Sequence, residues 1–159
     1  MTDCLVVRAN ARTIPLTPFE ARHLDAWLEK LPDDVRAWVT AAGFCADPGT
    51  VLLLPGGKYG VAGALIGVTG EDDIWSWSAA SARLPVGRYR LAREPKSGTA
   101  NKLTLGWGLA AYQFTRYRDS GFTHPELVWP RKADRVGVAG ALSATFLARD
   151  LINTPASDM

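Results

Sequence analysis

The chain has 159 residues, 47% hydrophobic and 21% charged, which excludes an intrinsically disordered polymer and suits one domain that buries roughly 70% of its unfolded surface. Eighteen Lys and Arg against 16 Asp and Glu leave a formal charge of +2, too small and too scattered to draw a polyanion by long-range attraction. No run approaches the roughly 20 apolar residues that span a bilayer, and MTDCLVVRAN lacks the basic start and long apolar core of a secretory signal.

In chain order, CLVVR (4–8) is a β-branched run that reads as a first strand. Cys4, inside it, and Cys45, in GFCA, are too few for a disulfide framework and are expected to be buried free thiols of a cytoplasmic protein. In TPFEARHLDAWLEKLP, Thr17 and Glu20 form a Thr-x-x-Glu capping box with Pro18 at the first helical position, so a helix is expected from Thr17. Leu24, Trp27, Leu28 and Leu31 give it one apolar stripe, and Pro32 ends it. A second helix is expected behind Asp33 or Asp34, with Val35, Trp38, Val39 and Ala42 buried and Gly43 as its stop.

TVLLLPGGKYGVAGALIGVTG reads as strand, tight loop, strand, an antiparallel pair inside the sheet and covered on both faces. EDDIWSWSAASARLP places Ile74, Trp77, Ser81 and Leu84 at helical spacing behind acidic residues suited to a helix N-terminus. GRYRLA (87–92) alternates as a strand does. SGTANKLTLGWGLAAYQFTRYRD reads as a longer helix with Leu103, Trp107, Ala110, Phe114 and Tyr117 along one side, and ELVW (126–129) as a last strand. From Lys132 to Leu151 nearly every residue is small, apolar or an isolated charge, which predicts a helix buried on most sides. Strands alternating with helices predict an α/β fold of three layers, a mixed sheet sandwiched by helices.

Chemistry is sparse. His23 and His124 stand apart from each other and from the cysteines, and are expected to be surface or structural residues. Asp33-Asp34 and Glu71-Asp72-Asp73 each precede a predicted helix, where negative charge is favoured by the exposed N–H groups, so capping is the expectation. LLLPGGKYG fails as a phosphate loop, because Leu52 and Tyr59 stand where a glycine and a hydroxyl residue are required. GWGLAA (Gly106 to Ala111) satisfies G-x-G-x-x-A, yet periodicity puts it within a helix, where close packing through glycine is the expectation. A dinucleotide oxidoreductase would rest on that segment alone. No residue is assigned a catalytic, cofactor-binding or metal-ligating role.

GFCADPGTVLLLPG, LPVGRYRLA, NKLTLGWGLAAYQFTRY and LARDLINTPASDM together resemble the N-terminal portion of leucyl aminopeptidases of the M17, or cytosol aminopeptidase, family, from Leu5 to Met159. Gly106 through Tyr117 resembles that family's G-x-x-L-x-x-Y-x-F-x-x-Y helix, and Arg149 through Pro155 its R-D-L-x-N-x-P junction. The resemblance implies a macrodomain-like α/β domain over residues 1–131. It makes 132–159 a connecting helix and junction toward a larger C-terminal catalytic domain. It further implies that this catalytic domain holds two zinc or manganese ions and a segment like N-T-D-A-E-G-R, all beyond the junction, and removes N-terminal amino acids, often leucine, from peptides. The two ions would polarise the scissile carbonyl and activate a bridging water.

On this resemblance the chain is expected to be an N-terminal lobe severed from its catalytic domain, with no cofactor of its own and inactive alone. Its implied partners are that catalytic domain and, in the whole enzyme, the other subunits of a cytoplasmic hexamer acting on peptides. The alternative is a macrodomain-like binding module for ADP-ribose or DNA. The missing phosphate loop counts against the first ligand and the low charge against the second.

Overall fold

The computed structural model describes residues 3–117, 121 and 123–158. Among them lie β1 (Leu5–Val6), β2 (Ile14–Phe19), α1 (Ala21–Leu28), α2 (Asp33–Ala41), β3 (Val51–Pro55), β4 (Val61–Gly67), α3 (Ile74–Ser81), β5 (Arg88–Leu91), α4 (Ser97–Ala110), β6 (Glu126–Val128) and α5 (Arg135–Asn153), with a closing 3-10 turn at Ala156–Asp158. The strands form one mixed six-stranded sheet in the order β1-β6-β5-β2-β4-β3. β1, β6, β5, β2 and β4 are mutually parallel, and β3 runs antiparallel to β4. The α/β architecture and the hairpin both follow the sequence pattern.

β2 is the main correction. Residues 14–19 form a strand at the centre of the sheet, so the helix expected from Thr17 begins only at Ala21. Glu20 occupies the cap position in an extended conformation without a side-chain cap bond, and its carboxylate pairs with Arg22 at 2.8 Å. A central strand holding Pro15 and Pro18 is unusual, because proline cannot donate to a ladder. Register resolves it. Leu16 turns its carbonyl to β5, accepting from the N–H of Ala92, and Phe19 turns its own to β4, accepting from Val68. Pro18, on the β5 side, lies past the last β5 partner; Pro15, on the β4 side, lies ahead of the first β4 partner. Each missing N–H therefore falls beyond the end of a ladder.

Alternation along the strands sorts side chains into two cores. Leu16, Ala64, Ile66, Tyr89 and Leu127 face α3, α4 and α5, meeting Trp77, Leu103, Trp107, Leu142 and Phe146. Leu65 faces the other way, with Leu24 of α1 and Val39 of α2, beside Phe19, Trp27, Leu52 and Leu54. Here the two apolar runs of the hairpin diverge. β4 is buried over Gly63–Gly67, whereas β3 is the sheet edge and only half-buried. α2 covers part of that edge, with the Trp38 indole N–H donating to the Leu53 carbonyl at 3.0 Å. Trp38 is accordingly 46% exposed rather than core, and Ala42 is exposed as well.

Asp73 caps α3, accepting from the N–H of Trp75 at 3.0 Å and from the Ser76 hydroxyl, and that hydroxyl holds its carboxyl below the ordinary range. α4 stops at Ala110, so Phe114 and Tyr117 lie beyond it in irregular chain; the expected helix also took in Arg118 and Asp119, which fall outside the described residues. α5 buries only one stripe, Val138, Leu142 and Phe146. Val136, Leu147, Leu151 and Ile152 are exposed, so the expectation of burial on most sides does not hold for this chain. Both cysteines are free, Cys4 buried and Cys45 exposed, which corrects the second.

Candidate functional site

A groove of about 1350 Å³ opens where β1, β2, β5 and β6 begin, between the β3–β4 loop and the end of α4. Open α/β sheets bind ligands beyond the carboxyl ends of their strands. This groove lies at the opposite, amino end, where the chain leaves α4 and the last turns of α5 pass. Ile14, Val61 and Phe146 contribute apolar lining.

Most polar groups in the wall are engaged with one another. Arg88 gives its Nε–H to Glu126 at 2.6 Å and a second N–H to the Arg8 carbonyl at 3.1 Å, tying the β1–β2 connection to the sheet. Glu126 in turn holds the guanidinium above its ordinary pKa. Tyr112 donates to Asp150 at 2.9 Å and accepts from the Asn153 amide at 3.0 Å. Burial pushes the Cys4 thiol up to about 11, so it stays protonated and weakly nucleophilic at neutral pH. His124 is displaced the other way, burial lowering its pKa and favouring neutral imidazole. Such a wall suits binding better than bond breaking.

The cations Arg12 and Lys58 differ from the rest. Each rests against the ring of Tyr59, 5.4 and 5.6 Å from its centroid. The loop that presents Lys58 and Tyr59 turns through positive φ at Gly56, Gly57 and Gly60, so the failed phosphate-loop segment is a hairpin turn.

The other sequence features take structural places. His23 is exposed on α1. Asp33 pairs with Arg36 at 2.5 Å within α2, and Asp72 accepts from Thr99 and Lys102, linking the start of α3 to α4. Gly106 and Gly108 lie inside α4, which removes the strand-to-helix turn that a dinucleotide site needs. A Cβ on Gly106 would meet the Ile74 carbonyl oxygen at 2.3 Å, and one on Gly108 would meet Leu142 at 2.5 Å. Close helix packing accounts for both. Among the described residues no three His, Cys, Asp or Glu side chains converge as a metal site requires. Sequence reasoning missed the groove altogether: its residues come from several strand beginnings, the β3–β4 loop, the segment after α4, and α5, with no common spacing.

The family model for the M17 aminopeptidase N-terminal domain matches residues 14–130. The chain belongs to that family. This M17 N-terminal domain is 32% identical over 143 residues to a probable cytosol aminopeptidase of Leifsonia xyli subsp. xyli (strain CTCB07), covering 80% of this chain and 29% of the relative. Its fold matches the crystal structure of the cytosol aminopeptidase from Coxiella burnetii with a TM-score of 0.88 and 31% identity, over 99% of this chain and 35% of that one. The bottromycin maturation enzyme BotP in complex with Mn matches at a TM-score of 0.59 and 25% identity, over 92% and 33%. The chain thus spans about a third of the length of these relatives.

In this M17 domain the two motifs behind the resemblance touch each other. Arg149 donates to the Leu109 carbonyl at 3.2 Å and lies over the Tyr112 ring, while Asp150 and Asn153 bond the Tyr112 hydroxyl. Arg116 reaches the Asp158 carbonyl at 2.7 Å. Tyr117 also bonds the Asp158 carboxylate. Arg149, Asp150 and Asn153 fasten the end of α5 to the end of α4. Among the described residues no helix is long and apolar enough to cross a membrane.

Proposed function

We propose that the chain is the N-terminal accessory domain of a cytoplasmic leucyl-type aminopeptidase, comprising an α/β body over 1–131 and a connecting helix and junction over 132–159. It contributes to assembly, substrate access or regulation of a catalytic domain and is inactive by itself. The family match over residues 14–130, in a chain about a third as long as its relatives, carries this reading. The exposed apolar face of α5 supports it: Val136, Leu147 and Leu151 leave a stripe of the kind that a second domain covers.

In the whole enzyme the chemistry belongs to two zinc or manganese ions in the catalytic domain. The roles left to this lobe are to hold α5 in place through the Tyr112 contacts and to present the docking face. Hexamer formation would then proceed through the catalytic domains. Supplied with manganese or zinc, the 159-residue chain should release no leucine from a leucyl anilide beyond a metal-only control, and turnover that tracks protein concentration would overturn the reading.

A further inference from the structure

We propose that the groove at the amino ends of the strands binds an organic oxyanion, a compact carboxylate or phosphate head on an apolar body, with Arg12 and Lys58 holding the head. The inference does not depend on the accessory-domain reading. It rests on two cations that no carboxylate of the groove pairs with. The groove's three carboxylates are already engaged, Glu126 by Arg88, Asp150 by Tyr112 and Asp3 by a contact of its own, yet among the described residues neither Arg12 nor Lys58 forms an ion pair. Two like charges are nonetheless held against one ring, and at an exposed site each such contact is worth only about 0.5–1 kcal/mol.

Both are placed by well-defined backbone rather than by chance contact of long side chains. Arg12 sits in a tight turn in which its N–H donates to Asn10 Oδ1 at 2.9 Å and Thr13 N–H donates to the Asn10 carbonyl at 3.1 Å. Lys58 and Tyr59 sit in the loop closed by Gly56 N–H to the Gly60 carbonyl at 3.2 Å. The two turns come from different parts of the sheet and bring their cations to the rim of one groove. An oxyanion there relieves the repulsion and makes charge-assisted hydrogen bonds to guanidinium and ammonium. Ile14, Val61 and Phe146 offer the attached body an apolar lining, and about 1350 Å³ admits something as large as a short peptide.

The test is calorimetric titration of the 159-residue chain with acetyl-Leu-Leu-Leu as free acid, with its C-terminal amide, and with benzyl phosphate, tracking the Tyr59 ring by NMR. Saturable binding of the acid or the phosphate is expected, weakening as salt rises, and whichever binds more tightly identifies the source of the head group. The amide should bind at least about tenfold more weakly than the acid if the acid is the ligand. Arg12→Met with Lys58→Met should lower affinity about tenfold or more, whereas Arg12→Lys with Lys58→Arg retains most of it. Arg93→Met with Arg131→Met, a charge-matched control at other loops, should change nothing; circular dichroism confirms that each variant is folded. Failure of both anions to bind, equal binding of acid and amide without phosphate binding, or wild-type affinity in the Met double variant would each overturn the proposal.

Discussion

Gly106 and Gly108 are two residues apart on α4, yet their surroundings differ in what can yield. The atom facing Gly106 is a backbone carbonyl of α3, whereas Gly108 faces the tip of the flexible Leu142 side chain. Alanine at either position gains about 1 kcal/mol in helix propensity. Against that gain, Gly106→Ala must push two helices apart and should destabilise by about 3 kcal/mol, while Gly108→Ala asks Leu142 only to change rotamer and should cost about 1 kcal/mol or less. Urea denaturation of both variants checks the order; equal losses would mean the α3–α4 contact is soft. Cys4 and Tyr89 define a second residue-level effect. Burial raises the thiol from 9.0 to about 11 and the phenol from 10.0 to about 12. Groups with raised folded pKa values stabilise fully below their unfolded pKa and lose that contribution as pH rises through the folded value. Stability should therefore hold to about pH 9 and fall from there toward about pH 12, with Cys4→Ala flattening the first part of the fall. Melting temperatures across that range, with no difference between Cys4→Ala and the parent in slope, would refute the assignment.

At the scale of elements, α5 separates what the fold needs from what it leaves open. Leu142 is 1% exposed and wedged against Gly108, so Leu142→Ala should cost 2–5 kcal/mol. Leu147, five residues on and 60% exposed, should tolerate Ser within about 0.5 kcal/mol, and the substitution should reduce binding of a hydrophobic dye. A large loss of stability at Leu147 would show that the outer face already has a partner within the chain. The same helix shows what the sequence could and could not convey. Composition found α5, and its small and apolar residues led to an expectation of burial on most sides, but a pattern cannot say whether the cover is in the chain. β2 was invisible for a different reason. Pro18 and a Thr-x-x-Glu spacing are local signals for a helix start, and tertiary register overrode them by placing both Pro15 and Pro18 beyond the end of a ladder. α4 was overextended because Phe114 and Tyr117 continue the spacing of Leu103, Trp107 and Ala110, although they are held by each other's rings and by Asp158 rather than by helical turns.

The whole molecule has two unequal halves around one sheet. The candidate groove belongs to the larger and was illegible from sequence, because Arg12 before β2, Lys58 in the β3–β4 loop, Arg88 at the start of β5 and Tyr112 past α4 are brought together only by the tertiary fold. The smaller half, α1 and α2 over β4 and β3, is held by a core of five buried residues, Leu24, Val39, Phe44, Ala46 and Leu65, none of them as large as the Trp77, Trp107 and Tyr89 that fill the other side. Apolar burial scales with area, and regions with few buried apolar groups open without global unfolding. Hydrogen exchange under native conditions should therefore show the amides of α1 and α2 opening at lower free energy than those of α3 and α4. Val39→Ala, fully buried at the centre of the small core, should lower that opening energy further and leave α4 protection nearly unchanged, since Leu103 and Trp107 belong to the other cluster. Exchange of α1 and α2 only through global unfolding, with both halves losing protection together in Val39→Ala, would show instead that Leu65 and its strand couple the two cores into one cooperative unit.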